Sequence, residues 1–75
     1  MKMNERIRSY IVDNGLKFSF VAQRVKMDDA KFSRIITGKQ KINTDEYEII
    51  CTKGLNVHPS FFYADKFLET KKKSA

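Results

Sequence analysis

Seventy-five residues leave room for one domain and no second core. With 41% hydrophobic residues, six Phe and three Tyr, a small packed fold is within reach, while the lack of any run of about 18 apolar residues excludes a membrane-spanning helix. The net charge of +6 is uneven: residues 1–44 hold ten Lys/Arg against four acids, whereas residues 45–75 hold five of each sign.

The positive field therefore belongs to the front half, as expected when one face meets an anionic partner. An ordinary soluble basic surface would look the same on charge alone. The opening MKMNERIRSY meets charges at once and has no apolar stretch of signal-peptide type, so a secretory leader is not expected. Cys51 has no partner for a disulfide and none at metal-ligand spacing, which makes a reducing, cytoplasmic setting the expectation. Stability must then come from helix packing without staples.

No segment alternates with strand period, whereas helical spacing recurs. Met3, Ile7, Tyr10 and Ile11 fall on one helical face, and Asp13-Asn14-Gly15 stops that helix at a residue suited to φ > 0. A second helix begins near Phe18 and carries Val21, Ala22 and Val25 inward. A third runs from about Asp29 to Thr37 with Phe32, Ile35 and Ile36 as its apolar side and Gly38 past its end. Asp28 stands just before it as an N-cap, worth about 1 kcal/mol. The loop Gly38–Ile42 is basic. Asn43 with Glu46 three residues on reads as a capping box for a fourth helix that uses Tyr47, Ile50, Cys51 and Leu55. Pro59 fits the first position of a fifth helix with His58 as its cap, and Phe61, Phe62, Phe67 and Leu68 would close the core. The charged end is expected to fray. The picture is all-α, about five short helices and no sheet.

A helix-turn-helix unit needs apolar residues wherever its two helices meet, and a small one where they cross most closely. Counting twenty residues from Phe18, positions 4, 8, 10, 15 and 18 are Val21, Val25, Met27, Phe32 and Ile35, and position 5 is Ala22. A helix precedes the unit, a basic loop follows it, and two more helices finish the chain. Taken together, GLKFSFVAQRVKMDDAKFSRIITGKQ followed by NTDEYEIICTKGLNVHPSFFY resembles the Cro/CI-type (lambda-repressor-like) helix-turn-helix family of phage and bacterial transcriptional regulators, over roughly residues 4 to 64. The resemblance implies a compact bundle of about five helices that binds double-stranded DNA operators, usually as a homodimer. It sets residues 1–69 as the DNA-binding domain, with the motif at about 18–37, and leaves 70–75 as a disordered basic tail. Three positions depart from the family pattern. Lys26 stands where glycine is common and would need φ > 0 or a reshaped turn, Phe18 replaces a frequent glutamine, and Gly54 sits where a helix former is usual.

In that family the second helix of the motif presents its N-terminal residues to base edges in the major groove. Carried over, the resemblance makes Asp29, Ala30, Lys31, Ser33, Arg34 and Thr37 the base-reading candidates, with Asp28 at the same end but better explained as a cap. Arg34 can pair with guanine O6/N7, Ala30 can pack on a thymine methyl, and Ser33 can donate or accept. A solvated helix face is the ordinary alternative for Lys31 and Arg34. Asp29 has three open readings: acceptance from cytosine N4, an ion pair with Lys31 or Arg34, or a DNA face that is no longer used. Lys17, Lys39, Gln40, Lys41 and Asn43 are the phosphate-binding candidates, since phosphate contacts suit flexible basic groups and loop backbone. An ordinary charged loop is their alternative, and Lys71–Lys73 add at most weak attraction. Catalysis has no support: one histidine at a helix start, no nucleophile motif, no phosphate-cradling loop, no metal cluster, no cofactor or small-molecule signature. Phe61, Phe62 and Tyr63 cannot all face inward, so the surplus is a candidate dimer contact. The expected function is a sequence-specific DNA-binding transcriptional regulator. The alternative is a protein-binding module, an antirepressor or adaptor, that keeps the fold without specific DNA binding.

Overall fold

The computed structural model describes residues 2–63. Among them the chain is all helical, with four α-helices and no strand: α1 Met3–Asp13, α2 Phe18–Arg24, α3 Asp29–Ile36 and α4 Thr44–Ile49. The last runs on as a π-helical turn, Ile50–Gly54, and a single 3-10 turn follows at Pro59–Phe62. The fifth helix is thus one turn within the described residues. Phe67, Leu68 and the 70–75 tail lie outside them.

The start signals act through local hydrogen bonds. The Asp28 carboxylate accepts from the N–H groups of Ala30 and Lys31 at 3.1 and 3.3 Å, satisfying two donors that the first turn of α3 leaves free. Asn43 and Glu46 form the expected reciprocal box: the Glu46 N–H donates to Asn43 Oδ1 at 2.7 Å, and the Asn43 N–H donates to Glu46 Oε1 at 3.1 Å. At Pro59 the His58 Nδ1 accepts the Ser60 N–H at 3.1 Å, so His58 is a cap.

The stop signals share one device. α1, α2 and α3 each end in the double closure in which the second residue past the cap bonds back five positions and the first bonds back three. The pairs are Leu16 to Ile11 with Gly15 to Val12, Met27 to Ala22 with Lys26 to Gln23, and Lys39 to Arg34 with Gly38 to Ile35. Each closure needs a left-handed residue. Gly15 (φ 68°) and Gly38 (φ 83°) supply it without steric cost, while Lys26 (φ 56°) adopts it despite its Cβ. The sequence offered φ > 0 or a reshaped turn at Lys26, and the chain takes the first. Asn56 (φ 56°) plays the same part after the π-turn.

The core is one cluster drawn from every element: Ile7 and Ile11 of α1, Val21 and Ala22 of α2 with Val25 just past its end, Phe32, Ile35 and Ile36 of α3, Tyr47 of α4, Ile50, Cys51 and Leu55 at the π-turn, and Phe62. All six apolar slots counted from Phe18 face it, with Met27 half-buried at its margin. Tyr10 stands edge-on to Phe61 and Phe62, with ring centroids 5.2 and 5.6 Å apart. Arg6 donates to the Phe62 carbonyl at 2.6 Å, and the Tyr47 hydroxyl donates to the Pro59 carbonyl, so the 3-10 turn is tied to α1 and α4. Burial pushes the Tyr47 hydroxyl and the Cys51 thiol up, which keeps both protonated. Of the aromatic trio, Phe62 is buried, Phe61 half-buried and Tyr63 60% exposed.

Gly54 is not a misplaced helix residue. A Cβ there would lie 3.0 Å from Val25 Cγ1 and 3.1 Å from Val21 Cγ1, so its missing side chain lets the π-turn close on α2. Both valines are β-branched and buried, and have little rotamer freedom to yield. Gly54→Ala is therefore expected to destabilise the fold by about 1–2 kcal/mol, overpacking of about 1–3 kcal/mol outweighing up to about 1 kcal/mol of better helix propensity. A thermal melt should fall by roughly 4–8 °C per kcal/mol. An unchanged or higher midpoint would mean that the valines give way.

Candidate nucleic-acid interface

α3 has two unlike sides because Phe32, Ile35 and Ile36 commit one of them to the core. Ala30, Ser33, Arg34 and Thr37 follow the spacing i, i+3, i+4, i+7 and form one exposed stripe on the opposite side. Five of the six expected reading residues are exposed; the sixth, Lys31, is half-buried.

Lys31 leaves the stripe. Its Nζ lies 2.7 Å from Glu46 Oε2, so the residue expected at base edges ties α3 to the start of α4. Lys31, and after it the Asn43 N–H, hold the Glu46 carboxyl below its ordinary value of 4.5. One carboxylate thus closes the capping box with one oxygen and the ion pair with the other. Thr37 is partly committed too, its hydroxyl donating to the Ser33 carbonyl at 2.7 Å. Of the three readings for Asp29, the ion pair is not made. Among the described residues its carboxylate has no partner, Lys31 is on Glu46, and Arg34 is on Gln40.

Arg34 is the cation that remains on the stripe. Its Nε donates to Gln40 Oε1 at 3.1 Å, while its carbonyl accepts from the N–H groups of Lys39 and Gln40 at 2.9 and 3.1 Å. The loop after α3 is folded over this residue by the turn at Gly38. Gln40, expected at phosphates, therefore has its side-chain oxygen on Arg34. Asn43, expected there as well, has its oxygen occupied by the Glu46 N–H and keeps its amide NH2. Lys39 and Lys41 are exposed beside the end of α3, and Lys17 is exposed at the start of α2.

Two cations that motif spacing does not single out border the same region. Lys2 and Arg8 line a shallow cleft with Asn4, Glu5, Thr37 and Gly38. Their proximity arises from packing of α1 against α3, fixed by the Asn4 amide donating to the Ile36 carbonyl at 3.3 Å. Residues 32 positions apart in sequence carry no local sign of this. Lys26 is also exposed, in the turn that leads to α3. Among the described residues no group of His, Cys, Asp and Glu could hold a metal ion, and no helix is long and apolar enough to cross a membrane. No family model, curated protein or solved structure matches the chain.

The Glu46 arrangement has a pH signature. A carboxyl whose folded pKa is depressed contributes stability above its unfolded value, and that stability is lost as pH falls through the folded value. Wild type should lose stability as pH drops below about 4.5, and Glu46→Gln should flatten that limb and be less stable at pH 7. Urea midpoints at pH 7, 4.5 and 3 test this. Parallel curves for the two proteins would exclude Glu46 as the source.

Proposed function

We propose that this chain is a sequence-specific, double-stranded DNA-binding transcriptional regulator of the lambda-repressor-like helix-turn-helix type, with α2 and α3 as the motif and α3 as the reading helix. The observation that carries the proposal is the outward stripe Ala30, Ser33, Arg34, Thr37, flanked by Lys39 and Lys41 at one end of α3 and by Lys26 in the turn at the other. A short polar stripe with one arginine suits base edges, and exposed lysines on mobile stems suit the phosphates on either side. The short turn with its left-handed residue and the six core-facing slots, five of them buried, support the fold assignment, with the 3-10 turn at Pro59 in the place of a fifth helix.

One α3 spans few base pairs, so a homodimer on two half-sites is the arrangement proposed for DNA, with half-sites about one helical turn apart. The basic front half supplies the salt-dependent attraction that any such protein needs. The cytoplasm is the proposed setting.

A second reading, a protein-binding module without specific DNA binding, draws on two observations. Asp29 is exposed and without a partner among the described residues at the head of α3, and Lys31 is withdrawn to Glu46. Both lower the positive potential where a polyanion would approach.

Selection from random duplex DNA at near-physiological salt separates the two. Wild type should enrich a motif, and Arg34→Ala should erase preference at one position, a loss of about 1–3 kcal/mol of discrimination. Lys39→Ala and Lys41→Ala should weaken all sequences alike and make the log K against log salt slope shallower by about 1 each. Salt-sensitive binding with no enriched motif, or no binding, would favour the protein partner.

A further inference from the structure

An exposed arginine is a poor reader unless something fixes it, because its long side chain has many rotamers to lose on binding. Arg34 is fixed at both ends. Its carbonyl accepts from the main chain of Lys39 and Gln40, and its Nε–H donates to the Gln40 side chain at 3.1 Å. Residue 40 is brought there by the left-handed turn at Gly38, where a Cβ would approach the Asn4 amide to 3.1 Å. Gln40 is itself half-buried, so it is less free than the arginine it holds.

The bond also selects an edge. A guanidinium offers two edges to a planar acceptor pair, one through Nε and one terminal nitrogen, the other through both terminal nitrogens. With the Nε–H engaged by Gln40, the terminal edge remains, and its two parallel N–H groups match guanine O6 and N7. Lys31 is held by Glu46, so no second cation competes on the stripe.

We propose that Gln40 is a positioning residue for guanine recognition: by accepting the Arg34 Nε–H it holds the guanidinium with its terminal edge outward, so that each α3 reads one guanine through Arg34. The proposal rests on α3 being the base-reading helix. It moves Gln40 from phosphate contact to specificity, and it joins the loop after α3 to the reading surface.

The test compares wild type, Gln40→Ala, Gln40→Glu, Arg34→Ala and the Arg34→Ala/Gln40→Ala double variant on the selected duplex and on versions changed at each base. Gln40→Ala should lower the preference for guanine at the Arg34 position about three- to tenfold, as expected for freeing one long side chain. Its salt slope should not change, because no charge is removed. Gln40→Glu keeps an acceptor at the same reach and should retain the guanine preference, binding all sequences less tightly. In the Arg34→Ala background, Gln40→Ala should add nothing at that position. In the DNA-free protein, the Arg34 Nε–H order parameter should fall in Gln40→Ala while those of the other arginines stay put.

Three results would overturn the proposal, and they differ. If wild type selects no motif, the DNA-reading function falls and this inference with it. If Arg34→Ala loses a guanine that Gln40→Ala keeps in full, the function stands and the positioning role does not. If Gln40→Ala changes base preference equally with Arg34 absent, Gln40 reads a base by itself.

Discussion

The left-handed backbone at Lys26 is the constraint on which the arrangement of α2 and α3 depends. A residue with a Cβ placed there costs about 1–2 kcal/mol. The cost is tolerated because the turn lets both flanking helices reach the core at once: Val21, Ala22 and Val25 from one side, Phe32, Ile35 and Ile36 from the other. Full burial of each such aliphatic side chain contributes about 1.5–3 kcal/mol, so several contacts outweigh one strained residue. The same turn decides which side of α3 is left outside. If the chain took an extended path at Lys26, the Met27 and Lys26 closures onto Ala22 and Gln23 would open, and Phe32 would lose its place against α2.

Gly54 is the tertiary counterpart of that turn. α2 is buried where the π-turn packs on it, and the approach is close because Gly54 brings no side chain against Val21 and Val25. The widened turn at Ile50–Gly54 still brings Ile50, Cys51 and Leu55 to the core. Arg24 pins the outer side by donating its Nε–H to the Lys53 carbonyl at 3.1 Å, with its guanidinium 5.5 Å from the Phe20 ring centroid. α2 is thus held through its C-terminal half and the residue just past it, at Val21, Arg24 and Val25.

Much of this was legible in the sequence because it is local. Caps at Asp28, Asn43 and His58 and the stop at Gly15 need only residues within a few positions, and the buried slots of α2 and α3 follow from helical period. What sequence could not give depends on side chains meeting across elements. Lys31 is expected at base edges because the family resemblance carries a reading slot onto it; only the seat of α4 brings Glu46 within reach. Gly54 looked like a weak helix residue because its reason lies on α2, about 30 residues earlier. Gln40 looked like a phosphate contact because a basic loop invites that reading, whereas the turn at Gly38 folds it back onto Arg34. The one-turn 3-10 segment after Pro59 is the same lesson in backbone form, since a proline and a cap mark a start and say nothing about length.

The two acids at the head of α3 now separate. Asp28 accepts two N–H groups and is accounted for by the helix end alone. Asp29 accepts none, and with Asp28 already in place its favourable dipole term, about 0.3–1 kcal/mol, does not make it necessary. Its charge faces solvent, and among the described residues no cation pairs with it, since Lys31 and Arg34 are both engaged elsewhere. At physiological salt such a charge acts over only about 8 Å, so it weighs on groups that touch the head of α3 and hardly on phosphates farther along. On the proposed reading, that range matters more than the sign. An acid confined to one end of the stripe repels a phosphate only if one lies against it, and at a base edge it can accept from cytosine N4. Asp29 is therefore compatible with a DNA-reading α3 provided that its neighbour is a base rather than the backbone. The arginine held by Gln40, at the other end of the stripe, is left to supply the attraction.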